Sequence, residues 1–410
     1  MSTPPPVPPV PEPPVLSVPP PPPPLRAQAP VLPVAPPQRE LPRPPALLPG
    51  RLGNPDSTLA TDTRSDPRMI AAMEPFRLGD RTSPPRVSPQ DPLEDRLTFS
   101  RRSETRLEAL FDALLADLPP VDGIARSTRT TRGPGGRDLL LSIHRPADVS
   151  GPLPGILHIH GGGMVMLRGG NSVYTRWRDE LAAAGLVVVG VEFQNAVDET
   201  GHHPFPQGLD DVTAAIQWAS AHRAELGICA LVLQGDSGGA NLALAAAIRA
   251  GREGRTDLVT AAGAGAAIDG VYASVPFISG LYEWLPEHNP PELPSLTEND
   301  GYFMSNALNS ILRDLYDEGR ANRTNPLAWP YFADVNDLRG LPPHAISVNE
   351  LDPCRDEGLA YARKLRAAGV PVLQRTVHGV CHFGDELFRA ALPDVYAASV
   401  AHVRDFAASL

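Results

Sequence analysis

The segment best suited to nucleophilic chemistry is Gly235-Asp236-Ser237-Gly238-Gly239. It follows the apolar run 229–234 and leads directly into a helix-forming stretch at 241–248. A strand, a Gly-x-Ser-x-Gly turn and a helix in this order expose a serine on a sharp turn, where small neighbours prevent collisions with the strand and the helix. The pentapeptide by itself is a weak signal and more often marks an ordinary surface turn, whereas the strand and helix around it favour a nucleophile. Ser237 is therefore a candidate nucleophile that needs partners elsewhere in the chain.

A second glycine-rich segment, His160-Gly161-Gly162-Gly163, follows an apolar run at 156–159. Consecutive glycines let backbone N–H groups converge on one point, as an oxyanion hole requires. Where a serine lies on such a turn, the residue after it supplies a further N–H, and here that residue is Gly238. A phosphate-binding loop is the competing interpretation, but the Gly-Lys-Ser/Thr and Gly-x-Gly-x-x-Gly spacings are absent here.

A histidine that activates a serine needs an acid to orient it, and Asp352 is the preferred candidate. It follows a predicted strand at 345–349, whereas Glu350 lies closer to the body of that strand. Asp356 and Glu357 lie in the first turn of the next predicted helix, where the helix dipole alone favours acidic residues.

His382 is the preferred base among eleven histidines because it follows the last predicted strand and precedes the C-terminal helices. His378, four residues earlier, is the second choice. The resulting chain order is Ser237, Asp352, His382. This is one of the known orders in which a nucleophilic serine, an acid and a histidine base form a catalytic triad. Agreement of three separate motifs in order and position is much less probable by chance than any one motif.

Short apolar segments alternate with helical segments through most of the chain, which predicts an α/β fold with a doubly wound, mostly parallel sheet. Loops at the C-terminal ends of such strands form the ligand crevice, and every candidate above follows a strand. Strands are predicted at 139–144, 156–159, 186–193, 230–234, 271–276, 345–349 and 372–377, and helices at 174–184, 210–222, 241–252, 356–368 and 394–408.

Composition divides the chain into a tail and one large domain. Of the 49 prolines, 22 lie in the first 50 residues, so residues 1–64 are predicted to be a disordered or semi-rigid proline-rich tail. A docking arm for proline-binding modules is the less favoured interpretation. The candidate nucleophile, acid and base all lie in the large domain, residues 65–410.

Two segments of that domain are expected to form a helical cap. Residues 65–120 contain two amphipathic helices, one beginning after Asp66 and one at 104–118. Residues 281–337 are an insertion rich in aromatic residues and prolines. In the interpretation we favour, part of this insertion joins the N-terminal helices to form a lid that covers an apolar pocket. In the alternative, the insertion is an irregular surface segment that packs against the sheet edge.

A net charge of −11 argues against binding nucleic acid or an anionic membrane through a general basic surface. No apolar stretch is long enough to span a membrane, and the first residues do not form a secretory signal, so a cytoplasmic location is expected. Cys229, Cys354 and Cys381 fit neither a disulfide framework nor a metal-binding spacing, and we expect three buried thiols. No metal or cofactor is implied.

Together these motifs resemble the hormone-sensitive-lipase-like branch of the α/β-hydrolase superfamily, from about residue 66 to the C-terminus. The shared features are the His-Gly-Gly-Gly loop, the Gly-Asp-Ser-x-Gly turn and the Asp-Pro-x-Arg-Asp-Glu segment that begins at Asp352. Two departures are Ser237-Gly238-Gly239-Ala240, where the family usually has Ser-Ala-Gly-Gly, and His382-Phe383-Gly384, where His-Gly-Phe is frequent. Neither departure removes a catalytic atom.

The resemblance implies a serine carboxylesterase that acts on a small-molecule ester or lactone, macrocyclic lactones being one candidate class. It implies Ser237, Asp352 and His382 as the triad, and Gly162, Gly163 and Gly238 as the oxyanion-hole donors. Two alternatives stay open at this point: an amidase or peptidase that uses the same triad, and a ligand receptor without catalytic activity on the same fold.

Overall fold

The computed structural model describes residues 48–80, 84–252, 268–285 and 288–410. Within these ranges one sheet contains eight strands in the order β1-β2-β4-β3-β5-β6-β7-β8. The strands are β1 (Ile124–Arg132), β2 (Asp138–Pro146), β3 (Leu153–Ile159), β4 (Val187–Val191), β5 (Ile228–Asp236), β6 (Gly270–Ser274), β7 (His344–Leu351) and β8 (Val372–Cys381).

The sheet is parallel except at one edge. β1 pairs with β2 and β2 pairs with β4 in antiparallel register, while the neighbours β4, β3, β5, β6, β7 and β8 are all mutually parallel. The predicted mostly parallel sheet is thereby confirmed. The parallel strands direct their C-terminal ends to the same edge, where a shared site can form.

Helices connect and cover the strands on both faces. They are α1 (Gly50–Gly53), α2 (Pro67–Met73), α3 (Leu93–Leu115), α4 (Ser172–Ala183), α5 (Gln207–Ala221), α6 (Arg223–Leu226), α7 (Gly238–Arg252), α8 (Ser295–Glu298), α9 (Asn306–Tyr316), α10 (Val335–Leu338), α11 (Arg355–Ala367), α12 (Gly384–Leu387) and α13 (Pro393–Ala408). The five predicted helices that follow strands are all present and begin slightly earlier than expected.

Side-chain alternation along the strands separates the core into two layers. Ile156 and Val232 pack in one layer with Trp177 of α4 and Val403 of α13. The adjacent residues on the same strands, such as Leu233, belong to the other layer, which also contains the apolar faces of α5 and α7. Helices on both faces confirm the doubly wound arrangement.

The sequence-based prediction missed the edge strand β1. Its sequence, IARSTRTTR, is polar and largely exposed, so it lacks the apolar alternation that identifies a half-buried strand. Helix α3 also differs, because it begins at Leu93 instead of Glu104. Its first three turns bury little apolar surface, with Leu97 as the buried hydrophobic residue there.

Residues 1–47 of the predicted tail lie outside the described residues. Residues 48–64, which were also assigned to the tail, pack against the rest of the described chain. Leu59 is fully buried, and Arg64 forms an ion pair with Glu298, which lies within the insertion 281–337. The packed region therefore begins earlier than the predicted boundary at residue 64.

In the described part of the insertion 281–337, α9 is the longest helix. Ser305 caps α9 by accepting a hydrogen bond from the Leu308 N–H, and α9 packs against α3. Residues 81–83 and 286–287 of the two predicted cap segments lie outside the described residues. In the ranges given above, no helix combines the length and the apolar character needed to cross a membrane.

Candidate active site

Ser237 is the single residue between the end of β5 and the start of α7. Its φ is +52°, a left-handed conformation that is uncommon for a residue with a side chain. Hydrogen bonds hold this conformation: the Ser237 N–H donates to the Ser274 carbonyl, and the Ser237 carbonyl accepts from the Phe277 N–H. The backbone of the turn is therefore fixed by the strand β6 and the loop after it.

The glycines around Ser237 are required by close backbone approach. A Cβ added at Gly235 would lie 2.3 Å from the Gly239 carbonyl carbon, and one at Gly239 would lie 1.9 Å from the Ile159 carbonyl oxygen. Helix α7 thus starts in direct contact with the ends of β3 and β5. The structure supports the sequence-based reason for glycine on both sides of the serine.

Ser237, His382 and Asp352 form a continuous hydrogen-bonded chain. The Ser237 Oγ lies 2.9 Å from His382 Nε2, and His382 Nδ1 lies 2.9 Å from Asp352 Oδ2. The other Asp352 oxygen accepts a 2.8 Å hydrogen bond from the Cys354 N–H. The three residues follow β5, β7 and β8 directly, so the sheet brings together side chains that are up to 145 positions apart.

Burial and charge act in opposite directions on His382. Desolvation lowers the pKa of its imidazole, but the charge of Asp352 and the hydrogen bond to it raise the pKa, and the net result lies above the ordinary value of 6.5. Asp236 and Glu357 add to the upward effect. Asp352 is fully buried, so its carboxylate is shielded from bulk solvent where it faces the imidazole.

The other acidic and histidine candidates do not reach Ser237. The His378 side chain is 79% exposed, and its Nδ1 lies 3.2 Å from the Glu350 carboxylate. Asp356 accepts a hydrogen bond from the Ser295 N–H. Glu357 accepts hydrogen bonds from the Tyr282 hydroxyl and the Ile278 N–H, so both acids attach α11 to neighbouring loops.

The loop after β3 brings its glycines against the serine turn. Gly162 and Gly163 have φ values of +98° and +63°, which glycine adopts without strain. A Cβ at Gly162 would lie 1.9 Å from the Met166 carbonyl oxygen, and one at Gly238 would lie 2.5 Å from the Met164 nitrogen. The backbones of the loop and of the residue after Ser237 are thus adjacent, as the predicted oxyanion hole requires.

Two polar groups near this loop were not assigned a role from the sequence. Tyr174, in the first turn of α4, accepts a 3.0 Å hydrogen bond from the Gly161 N–H. Its hydroxyl donates a 3.2 Å hydrogen bond to Asp236, the residue immediately before Ser237. Asp236 was visible within the glycine-rich pentapeptide, but Tyr174 carried no motif signal because its role depends on where α4 is placed.

An apolar cavity of about 150 Å³ opens beside Ser237. The N-terminal segment and the insertion both contribute to its walls, together with the loops of the sheet. The residues that line it are Leu78, Leu107, Phe111, Gly162, Gly163, Met166, Leu167, Tyr174, Asp236, Ser237, Phe277, Phe303, Met304, Leu308, Leu312, His382 and Phe383. Three aromatic residues of the insertion form a buried cluster beside it, in which Trp329 contacts Tyr282, Tyr316 and Phe277.

A larger cleft of about 880 Å³ lies between α3 and the loops at 168–172 and 192–200. Most of its lining residues are polar or charged, among them Glu104, Arg137 and Glu192. None of the three hydrogen-bonded residues at Ser237 lines it. We therefore place the candidate site in the smaller apolar cavity, where the chemistry and the cavity coincide.

The donor atoms of Asp352, Cys354 and His382 lie within 4.8 Å of one another, a spacing that could accommodate a metal ion. The carboxylate and imidazole donors already bond to each other, and burial strongly raises the pKa of the Cys354 thiol, which disfavours the thiolate that a metal would need. The hydrogen bonds of Asp352 to His382 and Cys354 therefore explain why these three donor atoms lie close together. Cys354 and Cys381 are buried as expected, but Cys229 is exposed near the start of β5.

Comparisons with known proteins agree with this fold. The family model described as alpha/beta hydrolase fold matches residues 156–384. The solved structure of brefeldin A esterase, described as a bacterial homologue of human hormone-sensitive lipase, is 46% identical, has a TM-score of 0.84 and covers 88% of this chain and 98% of that chain. The structure of esterase Est22 with p-nitrophenol is 32% identical, has a TM-score of 0.73 and covers 85% of this chain and 99% of that chain.

Among curated proteins, the carboxylesterase NlhH of Mycobacterium tuberculosis is 31% identical over 265 residues, which cover 62% of this chain and 75% of that protein. The resemblance inferred from the His-Gly-Gly-Gly and Gly-Asp-Ser motifs is thus confirmed. The family model spans more than half of the chain and includes Ser237, Asp352 and His382. This chain belongs to the alpha/beta hydrolase family, in the branch that resembles hormone-sensitive lipase.

Proposed function

We propose that this chain is a serine carboxylesterase that uses Ser237 as nucleophile, His382 as base and Asp352 as the acid that orients the base. The observation that carries the proposal is the hydrogen-bonded chain from the Ser237 Oγ through His382 to Asp352. The names of the relatives, which include carboxylesterase NlhH and brefeldin A esterase, support the same class of reaction.

In the first step, His382 Nε2 accepts the Ser237 hydroxyl proton while Oγ attacks the carbonyl carbon of the ester. Asp352 accepts the hydrogen bond from Nδ1–H, which selects the tautomer with a free Nε2 and stabilises the imidazolium that forms. The raised pKa of His382 makes it a stronger base than an ordinary imidazole.

The tetrahedral intermediate places a negative charge on the former carbonyl oxygen. The backbone N–H groups of Gly162, Gly163 and Gly238 are proposed to donate hydrogen bonds to this oxygen. Removing one donor from a comparable oxyanion hole raises the activation free energy by roughly 3–4 kcal/mol. Collapse breaks the ester C–O bond, and the alcohol leaves with the proton held by His382. Water then attacks the acyl-enzyme with His382 again as base, releasing the acid and free Ser237.

The apolar cavity favours an ester with an apolar acyl or alcohol group. Phe111, Leu308 and Leu312 line it from the cap segments, so they are proposed to form the lid that contacts this group. The name of brefeldin A esterase makes macrocyclic lactones a candidate substrate class for this chain as well. A small ester or lactone is proposed, with no cofactor taking part.

Hydrolysis of p-nitrophenyl esters of graded acyl length, a macrocyclic lactone and a p-nitroanilide tests the proposal. We expect the esters to be hydrolysed fastest and the Ser237→Ala variant to lose at least about 10³-fold in kcat. Faster hydrolysis of the anilide than of the matched ester would indicate an amidase. Wild-type protein no faster than Ser237→Ala on every substrate would indicate a ligand receptor and contradict the proposal.

A further inference from the structure

Tyr174 contacts three loops that meet at Ser237. Its hydroxyl bonds to Gly161 in the loop after β3 and to Asp236 in the serine turn. Its ring lies 5.9 Å, centroid to centroid, from Phe383, the residue after His382. One buried side chain therefore connects the segments that carry the nucleophile, the base and the proposed oxyanion donors.

The hydrogen bonds of Tyr174 have a defined direction. A phenol has one proton to donate, and here it goes to the Asp236 carboxyl while the oxygen accepts from the Gly161 N–H. We call this chain of Gly161, Tyr174 and Asp236 the Tyr174 bridge. Because the Gly161 N–H donates to Tyr174, it is engaged within the bridge, and the next two N–H groups, those of Gly162 and Gly163, are the ones proposed to bind an oxyanion.

Packing leaves the bridge little freedom. A Cβ added at Gly161 would lie 2.2 Å from the Asp236 carboxylate and 2.8 Å from the Tyr174 hydroxyl oxygen. Tyr174 itself is 2% exposed, its ring packs 5.6 Å from the rings of both His158 and His160, and its N–H is capped by Asn171. A side chain fixed at this many points can set the position of a loop.

We propose that Tyr174 is a positioning residue that holds the oxyanion loop in register with Ser237 through the Tyr174 bridge. The inference rests on the proposed esterase function for its catalytic consequence, but the bridge itself is a structural claim. Without the hydroxyl, the Gly161 peptide loses its acceptor and can rotate. The donors at Gly162 and Gly163 then meet the developing oxyanion less well, while binding of the neutral ester changes little.

Tyr174→Phe keeps the ring and removes the hydroxyl. We expect kcat to fall about 10- to 100-fold, as small displacements of catalytic groups do, with KM changed less than about threefold. Hydrogen exchange measured by mass spectrometry on a peptide spanning 160–170 should be at least about tenfold faster than in the wild type. Asp236→Asn, which keeps an oxygen that accepts from Tyr174, should retain more kcat than Asp236→Ala.

The matched control is Tyr361→Phe, since the Tyr361 hydroxyl is buried in α11 and has no hydrogen-bond partner among the described residues. Equal loss of kcat in both Phe variants, or unchanged kcat and exchange in Tyr174→Phe, would overturn the inference. If the wild type hydrolyses no ester, the proposed function fails, and the hydrogen-exchange measurement alone then tests the Tyr174 bridge. Faster exchange in Tyr174→Phe but not in Tyr361→Phe supports the bridge. Unchanged exchange in Tyr174→Phe overturns it.

Discussion

Glu104 on helix α3 accepts a 2.8 Å hydrogen bond from the backbone N–H of Leu167, which lies four residues after Gly163 in the loop that follows β3. Leu167 also lines the apolar cavity beside Ser237. The N-terminal segment is thus bonded directly to the loop proposed to stabilise the oxyanion. Any change that loosens α3 is expected to reach the site through this contact.

Glu104→Ala removes the acceptor and leaves the Leu167 N–H without its partner. We expect a loss of about 1–3 kcal/mol in the free energy of unfolding, measured by chemical denaturation, together with a lower kcat. Glu104→Gln keeps an acceptor oxygen and should restore most of both quantities. Asp112→Ala, an exposed position on the same helix, is the control, and an effect of Asp112→Ala as large as that of Glu104→Ala would contradict the prediction.

Gly162→Ala tests the backbone of the proposed oxyanion hole. The added Cβ would lie 1.9 Å from the Met166 carbonyl oxygen at a φ of +98°, so the peptide must move. We expect kcat for a p-nitrophenyl ester to fall at least about 100-fold. Gly170→Ala, where an added Cβ meets no atom within 4 Å, should keep wild-type kcat, and similar losses in the two variants would refute this assignment.

The pH dependence of kcat/KM should follow the imidazole of His382. Because the base acts in its neutral form, activity rises with pH, and the raised pKa places the midpoint above 6.5. In Asp352→Asn the two largest upward contributions to the His382 pKa, the charge of Asp352 and its hydrogen bond, are lost or weakened, so the midpoint should move down while kcat falls about 10³- to 10⁴-fold. Burial also raises the pKa of Asp236 and of Glu357 to about 7, so these carboxyls titrate in the same pH range. A midpoint that moves down in Asp352→Asn identifies His382 as the group that controls activity. An unmoved midpoint would contradict this.

The buried carboxyl of Glu357 should make the free energy of unfolding fall as pH rises, whereas the activity governed by His382 should rise with pH. Burial raises the pKa of Glu357 to about 7 in the folded protein from an ordinary 4.5, and hydrogen bonds from Ser279 and Tyr282 only partly offset this. The folded state then binds the proton more tightly than the unfolded state, so stability falls as pH rises from about 4.5 to 7. Glu357→Gln does not titrate, and its Tm relative to wild type should be more favourable at pH 8 than at pH 5.

The same comparison for Glu318→Gln, an exposed carboxylate, serves as the control and should show no such pH trend. Thermal unfolding followed by circular dichroism at the two pH values is sufficient for both variants. A Tm difference for Glu357→Gln that is equal at pH 5 and pH 8 would show that this carboxyl has the same pKa in the folded and unfolded states.

The sequence predicted the parts of the site that follow strands. Ser237, Asp352 and His382 each come directly after β5, β7 or β8, and an apolar run before a polar loop is a local signal. The sheet then joins them because parallel strands end at one edge. The cytoplasmic location, the natural substrate and the roles of the individual site residues stay predictions.

The parts that were missed depend on contacts between distant segments. Tyr174 bonds to Asp236, 62 positions away, and no local pattern indicates that α4 turns it toward the serine. Arg64 pairs with Glu298 across 234 positions, so the packed region begins before residue 64 although the local composition favours a tail. Strand β1 has no apolar pattern of its own, and only its pairing with β2 in the folded chain identifies it as a strand.

Covalent labelling of Ser237 tests the central claim most directly. A fluorophosphonate ester reacts with a serine only when a base activates its hydroxyl and an oxyanion hole stabilises the addition. Intact-protein mass spectrometry should show one added phosphonyl group per chain, peptide mapping should place it on Ser237, and Ser237→Ala should stay unlabelled with its ester hydrolysis lost. Label on another residue, or ester hydrolysis that persists in Ser237→Ala, would contradict the account.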